Sequence, residues 1–181
     1  MKELSLNILD IAENSIKAKA TSVSILIDET EDTLSFEISD NGEGMTEEFL
    51  KTVENPFTTS RTTRPVGLGI PLLKLAAEQT GGNVEITSKH ILEFPDSHGT
   101  VTKATFFKNH IDSVPLGDIV ETVVSFVQCN PNIDFVFTHN VNAKTISLNT
   151  RELREVLKEV PLNNIEVILW IKEFLSEQYN S

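Results

Sequence analysis

The chain has 181 residues, a formal net charge of −12, 39% apolar residues and one cysteine. That length fits one domain, or a domain with a smaller appendage, and the apolar content is enough for a packed core, which argues against a disordered chain. The acid surplus argues against generic nucleic-acid binding, and the lone Cys129 excludes an internal disulfide and fits a reducing, cytoplasmic compartment.

The N-terminus, MKELSLNILDIAENS, is broken by polar residues every few positions and reads as neither a signal peptide nor a membrane span. Leu4 to Ala20 reads as a helix, with Leu4, Ile8, Ile11, Ala12 and Ser15 at helical spacing. Asn7, Asp10, Asn14 and Lys17 recur at three- and four-residue steps and form a narrow polar ridge. Solvent faces are usually broad and rich in Glu and Lys, so this single file resembles the wall of a polar pocket.

Ser22–Asp28 and Thr33–Ser39 read as two strands joined by an acidic turn. The second runs into Asp40-Asn41-Gly42-Glu43-Gly44-Met45, where Asn-Gly taken alone signals an ordinary hairpin. A calcium loop is excluded, because the acidic ligands expected after Asp40 are missing. Thr46 caps a short helix with Glu47 and Glu48 in its first turn.

Residues 54–74 hold Arg61, Arg64 and Lys74 and, after Glu54, no acid. This stretch passes through Gly67-Leu68-Gly69 into a helix with Pro71 in its first turn and Gly81-Gly82 at its end. Glycines and free N–H groups at a helix start suit an anion, so a phosphate chain is expected here. Asn83–Ser88 and Thr100–Phe107 read as two further strands. Together the elements predict an α/β sandwich with a mixed, mostly antiparallel sheet and helices on one face.

From Asn109 the texture changes. A helix over 116–127, a hairpin of 133–138 and 145–148, and helices over 151–160 and 165–179 predict a small α/β unit. The expected division is therefore 1–108 and 109–181. The apolar faces of helices 116–127 and 165–179 exceed what a lone hairpin covers, so this unit is expected to pack on the first domain or on a second copy as a homodimer.

GLGI lacks the third glycine of a dinucleotide fingerprint, and no GxxxxGK[ST] is present. In order, however, D-x-x-x-N-S-x-x-A-x-A, D-N-G-E-G-M, P-F-T-T-S, G-L-G-I and a late G-T make a distinctive set. Over about residues 4–108 this resembles the GHKL superfamily of ATP-binding domains (gyrase, Hsp90, histidine kinase, MutL), whose α+β architecture is the Bergerat fold.

The resemblance implies Mg²⁺ and ATP or ADP as ligands, with Asn14 on the metal and Asp40 accepting from the adenine amino group. It implies that Gly42, Gly44 and Met45 belong to the turn beneath the base, and that Thr100 helps to hold adenine. Phe57, Thr58 and Thr59 match the F box, and Gly67, Leu68 and Gly69 match the glycines beside the phosphates. Asp10, one helical turn before Asn14, stands where hydrolytic branches carry a glutamate base; it is one methylene shorter, and a role ordering water around Mg²⁺ or pairing with Lys17 is the alternative.

PFTTSRTTRPVGLGIPLLK looks most like a histidine kinase catalytic domain, yet the lid before Gly67 is short and no upstream phospho-acceptor hairpin is expected. None of His90, His98, His110 and His139 is expected to be an autophosphorylation site, and each is expected to be exposed or locally bonded. Three activities fit: phosphotransfer in trans to a separate acceptor or regulator protein, slow hydrolysis as a nucleotide switch, or a non-catalytic binding module. Neither a nucleic acid nor a membrane is an expected partner.

Overall fold

The computed structural model describes residues 3–54 and 67–181. Helix α1 spans Leu4–Lys17 and leads into β1 (Ser22–Glu29) and β2 (Thr33–Asp40). Then come α2 (Glu47–Glu54), α3 (Gly69–Gln79), β3 (Asn83–Lys89) and β4 (Gly99–Phe107). The chain closes with α4 (Ile119–Cys129), β5 (Asp134–Val141), β6 (Lys144–Asn149), α5 (Thr150–Leu157) and α6 (Ile165–Asn180).

Among the described residues, six strands form one sheet in the order β3-β4-β2-β1-β5-β6. Only β1 and β5 pair in parallel; the other neighbours are antiparallel. Strict alternation sets the two faces. Val23, Ile25 and Ile27 of β1, Leu34, Phe36 and Ile38 of β2, Ala104 and Phe106 of β4, and Phe135 and Phe137 of β5 are buried on one side. The registers Ile25↔Ile38, Phe36↔Ala104 and Ile25↔Phe137 place them in continuous cross-strand rows. The opposite side carries Ser24, Ser39, Glu37 and Lys103 and faces water. Helices α3, α1, α4 and α6 lie side by side over the apolar face, each touching the next.

The hairpin β5–β6 does not stand alone. β5 continues the sheet from β1, and α4 packs between α1 and α6, so residues 119–181 share the core built by the first strands. The two halves also meet at the start of α1. No side chain caps it; instead the Leu4 and Ser5 N–H groups donate to the Pro115 and Leu116 carbonyls at 3.0 and 2.8 Å.

Some boundaries differ from the sequence reading, for local reasons. α4 starts at Ile119, because Gly117 takes φ +82° and Asp118 becomes the N-cap, accepting from the Glu121 N–H at 2.9 Å. α5 stops at Leu157, where Lys158 swings to φ +55°. The strands run further than the sequence reading, to Val141 and from Lys144, and the turn is Asn142-Ala143, both with positive φ, as a two-residue hairpin of this hand requires.

Candidate functional site

The polar ridge of α1, the C-terminal end of β2 and the start of α3 converge on a cavity of about 380 Å³. Asp40 forms its polar wall. Its Oδ2 accepts from the Ser15 hydroxyl at 2.6 Å, and its Oδ1 accepts from the N–H groups of Gly42 at 2.9 Å and Thr100 at 3.2 Å. A carboxylate has about four acceptor positions, so one remains for a ligand. Three donors fix the group's orientation.

The segment after Asp40 is not the ordinary hairpin that Asn-Gly suggests. β2 pairs with β1 and β4 instead, and the turn is tied down from three sides. The Asn41 side chain accepts from the Thr21 and Ser22 N–H groups, each at 2.9 Å. The Glu43 N–H donates to Ala18 O, and Glu43 O accepts from the Ile91 N–H, both at 2.8 Å. The Met45 N–H donates to Ser88 Oγ at 2.8 Å, and His98 Nδ1 donates to Gly42 O at 2.5 Å.

Two glycines make this clamp sterically feasible. A Cβ on Gly44, at φ +70°, would lie 2.0 Å from Lys89 O, and one on Gly99, at φ +138°, would lie 2.0 Å from Asp40 O. Beside the carboxylate, Thr100 Oγ1 and Ser88 Oγ are 2.7 Å apart and share a hydrogen bond.

Of the residues expected from sequence, Asn14, Asp40, Gly44, Met45, Gly67 and Thr100 line the cavity. Gly42 supports the wall from behind, facing Ala18, and is not a lining residue. Leu68 is exposed, and Gly69 opens α3 with its Cα facing Asp10: an added Cβ would be 3.6 Å from the Asp10 Cβ. Phe57, Thr58 and Thr59 lie outside the described residues, as do Arg61 and Arg64. Asp10 and Lys17 do not pair with each other.

Sequence reading missed several lining residues. Ser15 was placed with the apolar face of α1; a hydroxyl on that face beside Asn14 was the available signal. Phe49 and Val53, four apart on α2, supply apolar wall, and Ile11, Ile38 and Ile70 complete it. Lys17, which the polar ridge of α1 did anticipate, sits at the rim with no ion-pair partner among the described residues. His90 also lines the cavity, and nothing in the sequence marked it.

His139 corrects the expectation of an exposed or locally bonded histidine. It is 2% exposed within β5 and bonded to distant groups, Tyr179 Oη at 2.7 Å and Glu29 Oε2 at 3.2 Å. Burial, the largest influence, pushes its pKa below the usual histidine range against the opposing charges of Glu29 and Asp28. Burial likewise pushes the Tyr179 phenol well up. These residues line a second cavity at the opposite end of α1, where Lys144 is engaged by the Tyr179 and Ser181 carbonyls. Its buried polar groups satisfy one another.

Among the described residues no three His, Cys, Asp or Glu side chains cluster to hold a metal, and no helix is long and apolar enough to cross a membrane.

Residues 2–110 match the family described as histidine kinase-, DNA gyrase B- and HSP90-like ATPase. The sensor protein KdpD of Clostridium acetobutylicum is 31% identical over 94 residues, covering 49% of this chain and 10% of that protein. The chain thus spans only a small fraction of that relative's length. The fold is similar to the Aquifex aeolicus MutL ATPase domain complexed with ADP, at a TM-score of 0.57 and 14% identity over 87% of this chain and 70% of that one. It is also similar to the N-terminal domain of a DNA repair protein, at a TM-score of 0.56 and 15% identity over 82% and 53% of the two chains. The six-stranded mixed sheet with its helices is the α+β fold of these ATPase domains, and the chain belongs to the histidine kinase-, DNA gyrase B- and HSP90-like ATPase family.

Proposed function

We propose that the cavity between α1 and β2 binds Mg-ATP, and that the chain uses it either to phosphorylate a separate protein or to switch a partner through slow hydrolysis. The observation that carries the reading is Asp40, held by Ser15, Gly42 and Thr100 with one acceptor position left toward the cavity. An amino group on a planar base fits that position, and the apolar wall of Ile11, Ile38, Phe49 and Val53 fits the flat faces of the base.

The phosphates would then run toward Gly67 and the start of α3. Among the described residues that helix has no side-chain N-cap, and N–H groups at a helix start suit an anion. Lys17 at the rim adds a cation. The donor set fits Mg²⁺, a hard cation commonly held by few protein oxygens together with substrate phosphates. Asn14, a lining residue whose amide has no partner among the described residues, would supply the protein oxygen. When bound, the ion neutralises phosphate charge.

Asp10 is exposed, one turn from Asn14 and beside Gly69. There it orients or deprotonates water in hydrolysis, or orders solvent if phosphate goes to a partner. The sensor-protein relative favours transfer to a protein, and residues 109–181 then serve as the interaction unit. A non-catalytic binding module is the remaining reading. Incubation with γ-labelled ATP, alone and with co-purified protein, tests these alternatives. Label on a second protein supports transfer, label in water supports hydrolysis, and bound but intact ATP leaves a binding module.

A further inference from the structure

We propose that the outward face of α6 is a docking surface for a partner segment combining apolar and basic side chains, an amphipathic helix bearing Lys or Arg. α6 buries Val167, Ile168, Ile171 and Leu175 against the core. On its other side Ile165, Leu169 and Trp170 remain 73%, 61% and 47% exposed. Ile165 and Leu169, one turn apart, lie side by side, and Trp170 lies about 100° round the helix from Leu169, so the outward face carries an apolar edge on each side. Trp170 stacks on Phe174 with ring centroids 4.8 Å apart and planes 10° from parallel, so its indole is held ready as an anchor.

Charge decides the kind of partner. At about 100° per residue, Glu166, Glu173 and Glu177 project between Leu169 and Trp170. All three are exposed, and none has an ion-pair partner among the described residues, whereas Lys172 is paired with Glu121 at 2.9 Å. The face therefore offers apolar contact and uncompensated negative charge together. A second copy packed face to face across a two-fold axis would bring the same carboxylates against each other, and the net charge of −12 opposes it further. The surface lies outside residues 2–110, the part that matches the ATPase family, so nucleotide binding does not account for it.

Trp170 is the single tryptophan of the chain, so its fluorescence reports on this face directly. The full chain is titrated with a tryptophan-free synthetic helix of Leu and Lys, and with a matched helix of Leu and Glu. The Leu/Lys helix is expected to shift Trp170 emission to the blue and saturate. Its affinity should fall at least about tenfold in Glu166→Lys/Glu173→Lys, with Leu169→Glu abolishing the shift and nucleotide affinity unchanged in both variants. No shift, an equal response to the Leu/Glu helix, or unchanged affinity in the double variant overturns the proposal. A shift that grows with protein concentration alone, with a dimer in sedimentation, assigns the face to a second copy and also overturns it.

Discussion

Replacing Asp40 by Asn probes the nucleotide reading with little damage to the fold. The asparagine Oδ1 keeps the bonds from the Gly42 and Thr100 N–H groups, and Nδ2 takes the place of Oδ2, where Ser15 Oγ can turn to accept. The charge and the remaining acceptor position are lost. A hydrogen bond to a charged group contributes about 1.5–3 kcal/mol, which corresponds to a loss of roughly 10- to 150-fold in adenine-nucleotide affinity. The same loss appears in thermal unfolding. ADP at about one hundred times the wild-type Kd stabilises the wild type by about 2.7 kcal/mol; a variant binding about thirtyfold more weakly gains only about 0.9 kcal/mol. Calorimetric titration and ligand-induced melting shifts measure both quantities. Equal affinity in the two proteins refutes the assignment of Asp40. A large drop in the melting temperature without ligand refutes the account of its three bonds.

Asn7 is 1% exposed and both of its amide atoms lack a partner among the described residues, so Asn7→Leu is expected to raise stability by about 1–3 kcal/mol in urea unfolding; a decrease would show that the amide is satisfied. His98→Leu frees the Gly42 carbonyl and should weaken ADP binding on the order of tenfold, with His98→Gln restoring part of it; equal binding in all three proteins would remove His98 from the clamp. For His139 the folded pKa lies below the unfolded value of about 6.5, so on acidification the unfolded chain takes the proton first. Its contribution is therefore complete above that value and is lost as pH falls through the window beneath it. His139→Gln should flatten the stability profile between about pH 7 and 5, and an unaltered slope would contradict the burial argument. Asp10→Asn should cut any ATPase turnover at least about tenfold with little change in ADP affinity, and unchanged turnover would leave Asp10 with only solvent to order.

Much of the site was legible because its residues carry short-range signals. Helical spacing puts Asn7, Asp10, Asn14 and Lys17 on one ridge; Asn14 and Lys17 line the cavity, whereas Asp10 is not a lining residue and Asn7 is buried. The late Gly99-Thr100 pair stood out in the sequence and meets Asp40 across the β2–β4 register. What was not legible depends on distant pairing. Nothing local in 133–138 tells that β5 joins β1 in parallel, since a buried strand and a hairpin strand share the same alternation. His139 looks like a polar residue near a turn until Tyr179 and Glu29 come together around it. His98 and Ser88 clamp the turn after Asp40 through a backbone carbonyl and a backbone N–H, partners that no side-chain motif encodes.

The central claim is that Asp40 and its neighbours select an adenine nucleotide. An equilibrium titration of the full chain with ADP and with GDP, each in the presence of Mg²⁺, tests it most directly. A carboxylate accepts from the 6-amino group of adenine and repels the 6-oxo group of guanine. The account therefore predicts one ADP per chain, displaced by ATP, and GDP binding weaker by at least about tenfold. Failure to bind ADP, or equal affinity for the two bases, would contradict it.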